Sequence, residues 1–284
     1  MSHHSTARRA DGGMKVVLFC GGQGLRMRDY SENVPKPMVP IGQRPILWHL
    51  MKYYAHYGHR DFILCLGHRA EAVKEYFLDY KEWLSNDFVL NGRERSPQLK
   101  STDIDDWRIT FVDTGITSNI GQRLCAVREY LGDDEVFMAN YSDGLSDLHL
   151  PDLVDHYHAM GRTATMVCAP PGHSFHMIQL DDGHRIARVQ EAREAGLLVN
   201  AGFFIFHTDV FDYIRPGEEL VHEPFARLIA ADEITGFRHT GFWAGMDTFK
   251  EQQQFNDMWS RGEAPWAVWN RTTTTVEIPV SVAS

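Results

Sequence analysis

Several features that mark secreted, membrane or nucleic-acid-binding proteins are scarce or missing in this sequence. Its 284 residues include four cysteines without a CxxC pair, which argues against a disulfide framework or a cysteine zinc site. No apolar run approaches the ~20 residues of a membrane span. Basic residues are outnumbered, 28 Lys and Arg against 38 Asp and Glu, so the net charge is −10. Because nucleic-acid binding draws on excess positive charge, we expect neither nucleic acid nor a membrane as a partner.

The two ends of the chain lack the apolar periodicity of a packed domain. Residues 1–13 are small and polar and contain no apolar stretch of the kind a secretory signal needs, so we interpret them as a disordered extension. Residues 271–284 contain four consecutive threonines and are interpreted as a tail, with an edge strand at Val276–Val282 as the alternative. The cysteines, interpreted as buried small side chains, favour a reducing compartment. We therefore expect one domain over residues 14–270 and a cytoplasmic location.

Residues 14–168 alternate between short apolar runs and stretches with helical apolar spacing. The predicted strands are Lys15–Cys20, Asp61–Leu66, Trp107–Val112, Val136–Tyr141 and Thr163–Cys168, and the predicted helices are Ile46–Tyr57, Ala70–Leu84, Gln122–Leu131 and Leu150–Met160. Such alternation is typical of an α/β fold with a doubly wound, mostly parallel sheet. The polar stretch 86–106 interrupts the pattern and is interpreted as a loop, a hairpin or a subunit contact.

After Pro170 the pattern changes to shorter segments with strand character. The predicted strands there are Met177–Leu180, Ile186–Gln190 and Gly202–His207, followed by helices near Pro224–Ala231 and from about Asp247 to Arg261. We expect a small β-rich second half over about residues 169–270.

A glycine-rich segment follows the first predicted strand directly: Phe19-Cys20-Gly21-Gly22-Gln23-Gly24-Leu25-Arg26. Glycines let the backbone approach an anion closely and turn its N–H groups towards it. The spacing is neither that of the dinucleotide-binding GxGxxG motif nor that of the GK[ST] phosphate loop. The segment on its own is compatible with a phosphate site or with an ordinary turn.

A lysine held between two prolines, Val34-Pro35-Lys36-Pro37-Met38, lies ten residues beyond Arg26. Proline restricts its own φ angle and keeps the preceding residue extended, so the Lys36 side chain leaves a stiff backbone. A fixed lysine near a glycine-rich loop suits a polyphosphate that undergoes displacement. The alternative is a solvated loop lysine.

Four further motifs accompany these two: IGxRPILWHxMKxYxHYG at 41–58, YSDG at 141–144, GFWAGMDT at 241–248 and APW at 264–266. Together, the six motifs resemble those of the sugar-1-phosphate nucleotidylyltransferases. The resemblance spans roughly residues 14–270. It implies a Rossmann-like nucleotidyltransferase fold, with a nucleotide-binding half over about 14–168 and a sugar-binding half over about 169–270.

The resemblance implies that an oxygen of a sugar 1-phosphate attacks the α-phosphorus of a nucleoside triphosphate and releases pyrophosphate. It is strongest to members that use CTP and glucose 1-phosphate, which are the expected substrates. Catalysis is expected from Arg26, Lys36 and Asp143. The residues implied in nucleotide binding are Phe19, Cys20, Gly21, Gly22, Gln23, Gly24, Leu25, Arg26, Lys36, Ser118, Arg123 and Ser142.

Two aspartates match the metal-binding positions of these enzymes. Asp143 follows the fourth predicted strand, and Asp247 lies in the GFWAGMDT motif. Carboxylate oxygens together with phosphate oxygens suit Mg²⁺, which keeps several waters and accepts few protein ligands. The resemblance therefore implies Mg²⁺ as the cofactor.

The sequence also departs from the family pattern. Leu25 replaces a threonine of the glycine-rich loop, and Ser142 replaces the glycine before the metal aspartate. Where the family has Glu-Lys-Pro with the lysine on the sugar phosphate, this chain has Glu191-Ala192-Arg193. The implied sugar-phosphate residues are Glu191, Arg193, Asn200 and Gly202, and Arg193, one position later, is the candidate to supply the charge of the missing lysine.

Three hypotheses stay open at this point. The first is a cytidylyltransferase acting on glucose 1-phosphate. The second is the same chemistry on another sugar 1-phosphate or phosphate acceptor, because Ala192 stands in place of the lysine. The third is a non-catalytic nucleotide-binding relative, against which the retained Lys36, Asp143 and Asp247 argue. The resemblance further implies a symmetric homo-oligomer.

Overall fold

The computed structural model describes residues 13–22, 34–172, 176–192 and 196–270. Apart from Gly13, the interpreted extension and the tail, with its alternative edge strand, lie outside these ranges. Within them, no helix is long and apolar enough to cross a membrane.

The described ranges contain fifteen β-strands. In chain order they are β1 (Lys15–Phe19), β2 (Pro40–Ile41), β3 (Arg44–Pro45), β4 (Asp61–Leu66), β5 (Phe88–Asn91), β6 (Ser96–Leu99), β7 (Arg108–Asp113), β8 (Val136–Tyr141), β9 (Gly144–Ser146), β10 (Ala164–Ala169), β11 (His176–Leu180), β12 (Ile186–Glu191), β13 (Val199–His207), β14 (Ile234–Arg238) and β15 (Trp243–Gly245).

Seven α-helices lie in the same ranges: α1 (Ile46–His56), α2 (Ala70–Leu78), α3 (Ile120–Ala126), α4 (Arg128–Leu131), α5 (Leu150–Met160), α6 (Glu223–Ala230) and α7 (Phe249–Ser260). Short 3₁₀ segments are formed by Lys36–Met38, Glu82–Leu84, Thr208–Tyr213 and Val268–Asn270.

Seven strands form the central sheet in the order β14-β10-β13-β8-β1-β4-β7. The pairs β8–β1, β1–β4, β4–β7 and β10–β14 are parallel, whereas β13 runs antiparallel to both of its neighbours. The smaller pairs β2–β3, β5–β6, β9–β15 and β11–β12 are additions to this sheet. The predicted α/β fold with a mostly parallel, doubly wound sheet is confirmed.

The sheet is covered on both faces, which explains why its strands are apolar almost throughout. In β1, Val16 and Leu18 join one buried cluster, while Val17 and Phe19 join the cluster on the opposite face. The one charged member of this strand, Lys15, donates to the backbone carbonyls of Tyr130 and Leu131 and is thereby accommodated in the interior. Helices and loops on both faces leave the sheet's carboxyl edge as the place where a ligand can reach it.

The largest difference from the predicted elements lies in residues 70–106. The predicted helix over 70–84 ends at Leu78, and a 3₁₀ segment follows in which the Glu82 carboxylate accepts the backbone N–H of Asp103 at 2.9 Å. That long-range contact redirects the chain, and local helical spacing carries no signal of it. Of the three interpretations of the polar stretch 86–106, the structure contains the hairpin, formed by β5 and β6.

The interpretation of the cysteines as buried is only partly right. Cys20 and Cys65 lie in the core, Cys168 is half-buried, and Cys125 is exposed. Cys125 lies on α3, whose buried residues are Gly121, Arg123 and Leu124, so it faces away from the sheet.

His49 is a buried packing residue of α1. Its ring is fully buried, lies 4.6 Å from the ring of Trp259, and bridges the Ile41 carbonyl and the indole N–H of Trp266. Burial lowers the His49 pKa to about 4, so the ring is neutral. Trp259 and Trp266, from the C-terminal part of the chain, therefore pack against α1.

Candidate active site

The candidate site is built where β1 and β8 end side by side at the carboxyl edge of the sheet. Phe19 and Tyr141 are register partners, so the segments that follow them leave the sheet together. Ser142 joins the two ends: its hydroxyl donates to the Phe19 carbonyl at 2.8 Å. The side chains of Phe19, Cys20 and Ser142 are buried, so a ligand in this crevice would meet their backbone. Burial raises the pKa of the Cys20 thiol to about 12, which keeps it protonated.

Gly21 is supported from below by a buried arginine. The Arg123 guanidinium donates to the Gly21 carbonyl (2.9 Å), the Leu66 carbonyl (3.0 Å) and the Thr114 hydroxyl (2.6 Å). A Cβ atom on residue 21 would come within 1.9 Å of the guanidinium, so a side chain there would displace Arg123 from these hydrogen bonds. Arg123 thus holds the start of the glycine-rich segment, and its implied contact with nucleotide stays a prediction.

The remaining predicted nucleotide residues are only partly described. Gly22 is exposed at the crevice, and the half-buried Ser118 donates its hydroxyl to the Thr114 carbonyl at 2.5 Å. Gln23, Gly24, Leu25 and Arg26 lie outside the described residues.

Lys36 begins the 3₁₀ segment between its two prolines. Pro35 is extended, with φ −65° and ψ 148°, and its carbonyl accepts the Met38 N–H at 2.7 Å. The closed turn and the proline rings hold the backbone in one conformation, as the sequence predicts. The lysine side chain projects from this turn to the carboxyl edge of β8.

The two predicted metal aspartates are brought together by the short β9–β15 ladder. Gly144 of β9 pairs with Gly245 of β15, and the Met246 N–H donates to the Asp143 carbonyl at 2.8 Å. Asp247 is fixed from its other side, because the Glu251 carboxylate accepts its backbone N–H at 2.6 Å. Asp143 therefore lies directly before β9, and Asp247 lies two residues after the end of β15, so the ladder fixes the position of both.

Three segments that are distant in sequence meet at one cation. The Lys36 Nζ atom lies 2.5 Å from Asp143 Oδ2 and 2.6 Å from Asp247 Oδ1. Burial of the ammonium works to lower its pKa, but the two carboxylates outweigh that effect and hold the Lys36 pKa above its usual value of 10.5. The lysine thus stays charged. The side chains of Lys36, Asp143 and Asp247 are 16%, 32% and 35% exposed, so the cluster opens to the crevice.

The donor set fits a hard divalent cation held by few protein ligands. The Asp143 and Asp247 carboxylates converge on one point, which the Lys36 ammonium occupies. No group of three His, Cys, Asp or Glu residues suited to a metal occurs in the part of the chain that the structure describes. Mg²⁺ is bound in this way in many phosphate sites, where water and substrate phosphates complete the coordination.

The predicted sugar residues lie on the strands beyond β8. Gly202 of β13 has a φ of +77°, and a Cβ there would come 2.6 Å from the Tyr141 ring, so glycine lets the two strands approach beside the crevice. The Asn200 side chain accepts the Gly202 N–H at 2.8 Å. Glu191 ends β12 with an exposed side chain, Ala192 is buried, and Arg193 lies outside the described residues.

Two contributors to the site were missed at the sequence level. Glu251 fixes the backbone of Asp247 as part of a capping box with Thr248, and the Thr-x-x-Glu spacing at 248–251 is a sequence signal that could have found it. Asp147, whose carboxylate accepts the Phe242 N–H at 2.8 Å, joins β9 to the segment before β15. Nothing in the sequence indicates that contact.

Residues 15–236 match the nucleotidyl transferase family, and the chain belongs to this family. It is a nucleotidyltransferase, and the resemblance stated from its motifs is confirmed.

Individual relatives show which members of this family the chain is similar to. The chain is 37% identical over 258 residues to the "Probable glucose-1-phosphate cytidylyltransferase" of Bacillus subtilis, and 36% identical over 257 residues to the glucose-1-phosphate cytidylyltransferase of Salmonella typhimurium. Each alignment covers 90% of this chain and 100% of the relative. Among solved structures, a UDP-glucose pyrophosphorylase complexed with UDP-glucose has the same fold, with a TM-score of 0.65 at 15% identity, over 88% of this chain and 99% of that one.

Proposed function

We propose that this protein transfers CMP from CTP to glucose 1-phosphate, giving CDP-glucose and pyrophosphate. The observation that carries the proposal is the convergence of Lys36, Asp143 and Asp247 beside the glycine-rich segment. The identity of 36–37% to glucose-1-phosphate cytidylyltransferases over nine-tenths of the chain supports the choice of both substrates.

In the proposed reaction a phosphate oxygen of the sugar attacks the α-phosphorus of CTP. A new P–O bond forms while the bond from the α-phosphorus to the bridging oxygen breaks, and the leaving electron pair departs with pyrophosphate. Such transfers are accelerated chiefly by positioning and by neutralising charge on phosphate oxygens. In this chain Gly21 and Gly22 place backbone at the crevice, and the permanently charged Lys36 supplies the cation.

We further propose that Asp143 and Asp247 hold Mg²⁺. Mg²⁺ held by these carboxylates would supply positive charge that neutralises negative charge on the triphosphate. The aspartates orient that charge relative to the backbone of Gly21, and Arg123 keeps this backbone in place. Arg26 remains a proposed second cation of the site.

A second candidate is the same transfer to a different phosphate acceptor. It is favoured by the buried Ala192 at the end of β12, which provides neither charge nor hydrogen bond to a sugar phosphate. In that case the nucleotide half would behave as proposed and only the acceptor would change.

We also propose a homo-oligomer as the working form. The hairpin β11–β12 exposes several large apolar side chains, Met177, Ile178, Leu180, Ile186 and Val189. Isolated two-stranded hairpins are at best marginally stable in water, which favours a covered one. Sedimentation of the full chain tests this directly, and a monomer at every concentration would contradict it.

The deciding experiment measures pyrophosphate release with Mg²⁺, four nucleoside triphosphates and a panel of sugar 1-phosphates. We expect CTP with glucose 1-phosphate to give the highest kcat/KM, and Asp143→Asn to abolish turnover. Asp232→Asn is the matched control, because Asp232 pairs with Arg162 on the exposed surface. Turnover of CTP with another acceptor only would favour the second candidate. Nucleotide binding without turnover on any acceptor would contradict both.

A further inference from the structure

The two aspartates of the site depend on a very short ladder for their relative position. The strands β9 and β15 have three residues each and, within the described ranges, pair only with one another. A ladder of this length is weak when nothing else holds it. At the end nearer the crevice, the ladder is extended by the hydrogen bond from the Met246 N–H to the Asp143 carbonyl. The opposite end must therefore be held by other groups.

A compact polar cluster holds that opposite end. The Asp147 N–H donates to the Phe242 carbonyl at 3.1 Å, and the Asp147 carboxylate accepts the Phe242 N–H at 2.8 Å, so side chain and backbone of one residue clamp the other. The Ser146 hydroxyl donates to the same Phe242 carbonyl at 2.8 Å. These hydrogen bonds join the end of β9 to the residue before β15 and so hold this end of the ladder.

The buried His239 ties this cluster to the central sheet. Its Nε2 atom lies 3.1 Å from Asp147 Oδ1, 3.1 Å from the Phe242 carbonyl oxygen and 3.2 Å from the Ser146 hydroxyl. Because the carboxylate and the carbonyl only accept hydrogen bonds, a proton on Nε2 satisfies them. The His239 backbone N–H donates to the Cys168 carbonyl at the end of β10. The cluster is tightly filled, since a Cβ on residue 241 would come within 2.4 Å of the Asp147 carboxylate.

We propose that Asp147, held by His239, is a positioning residue that sets the distance between the Asp143 and Asp247 carboxylates. Phe242 is five residues before Asp247, and the paired strand β15 lies between them. Loss of the Asp147 carboxylate leaves the Phe242 N–H without this acceptor and frees the start of β15 to shift against β9. The shift reaches Asp247 through the strand, while Asp143 stays with β8. This inference rests on the proposed function only in treating the two aspartates as the metal ligands.

The test compares metal affinity with folding stability in three variants. Asp147→Ala removes the acceptor, Asp147→Asn keeps an oxygen at the same place, and His239→Phe keeps a ring but removes the Nε2–H donor. Glu233→Ala is the matched control: the Glu233 carboxylate also accepts a backbone N–H, that of Thr163 at 2.9 Å, but it does so at the start of β14, the end of that strand opposite to His239. Mn²⁺ binding is followed by the loss of its free electron-paramagnetic-resonance signal, and unfolding by circular dichroism.

We expect Asp147→Ala to raise the Mn²⁺ dissociation constant and the Mg²⁺ activation constant by about 10-fold, the lower end of the effect of losing a direct partner of a metal ligand, because Asp147 acts on Asp247 through β15. At saturating Mg²⁺ its kcat should recover much of the loss. Asp147→Asn should restore the affinity, His239→Phe should weaken it in the same direction, and Glu233→Ala should lower stability with unchanged Mn²⁺ affinity.

The proposal is overturned if Asp147→Ala folds and binds Mn²⁺ as the wild type does, or if only its melting temperature changes. Should Asp147→Ala not fold, His239→Phe decides in the same way: unchanged affinity overturns the proposal, and weakened affinity supports it. A wild type that binds Mn²⁺ but releases no pyrophosphate counts against the proposed function alone, because the affinities of the variants still measure the positioning role.

Discussion

Replacing Lys36 with alanine should make the protein bind metal more tightly while it loses activity. The Lys36 ammonium lies 2.5 Å from Asp143 and 2.6 Å from Asp247, so it occupies the point at which the two carboxylates converge. A divalent cation bound by both carboxylates must displace it. The same side chain that serves the triphosphate therefore competes with the metal in the ligand-free protein.

The magnitude follows from the exposure of the three side chains. Removing one partner of a buried ion pair costs about 3–5 kcal/mol, whereas exposed pairs contribute about 0–1 kcal/mol. Because each carboxylate is about a third exposed, we expect the metal-free variant to lose about 1–2 kcal/mol of unfolding free energy. Freed from competition, the carboxylates should bind Mn²⁺ about 10-fold more tightly, which corresponds to about 1.4 kcal/mol.

Unfolding and turnover measurements test this expectation. In urea unfolding, Mg²⁺ at 100 times its dissociation constant should add about 2.7 kcal/mol of stability, and this gain should begin at lower Mg²⁺ concentration in Lys36→Ala than in the wild type. Turnover should fall by about 10²–10³-fold, as on loss of a group that stabilises developing charge. The control is Lys52→Ala, which removes a comparable pair, Lys52 Nζ to Asp103 Oδ1 at 2.7 Å, away from the site.

Equal Mn²⁺ affinity in the wild type and Lys36→Ala would refute the reasoning, since the ammonium would then not occupy the metal position. Tighter Mn²⁺ binding in Lys52→Ala as well would have the same consequence, because the effect would reflect a general change in charge.

Three further predictions concern the frame of the site. Gly202→Ala, at a φ of +77° and 2.6 Å from the Tyr141 ring, should lower the unfolding free energy by about 1–3 kcal/mol and weaken acceptor binding; an unchanged melting temperature and KM would contradict this. Ser142→Ala, which removes the donor to the carbonyl at the end of β1, should cost about 1–3 kcal/mol in urea unfolding, and unchanged stability would contradict this. Burial lowers the pKa values of His49 and His59 from 6.5 to about 4. Between pH 6.5 and pH 4 the unfolded chain therefore binds protons on these rings that the folded chain does not bind. Stability should therefore fall as pH drops from 6.5 to 4, by up to about 3 kcal/mol for each ring, and a flat stability over that range would refute it.

Local patterns were sufficient wherever a segment's structure depends on its own residues. The strand Val136–Tyr141 and the helix Leu150–Met160 have the predicted bounds, because a continuous apolar run and a helical apolar spacing are each properties of one segment. The stiff turn of Lys36 likewise follows from its two prolines. The family resemblance rests on the same kind of information, since its motifs are short and contiguous.

Long-range contacts explain the elements that the patterns missed. The helix predicted over 70–84 stops at Leu78. Shortly after that end, Glu82 contacts residues about twenty positions later in the chain. The exposure of Cys125 depends on which side of α3 meets the sheet, and composition does not reveal that. Both errors arose where a residue from another part of the chain determines the outcome.

The amino-acid sequence alone was enough to predict an α/β nucleotidyltransferase fold and to name Lys36, Asp143 and Asp247 as members of one site. Their meeting at a single point depends on tertiary structure, because Lys36 is 107 residues from Asp143 and 211 residues from Asp247. Asp143 and Asp247 are joined by the three-residue ladder of β9 with β15, and Lys36 reaches both carboxylates from its own turn. Hydrogen bonds between distant strands set that geometry, and periodicity within a segment carries no information about them.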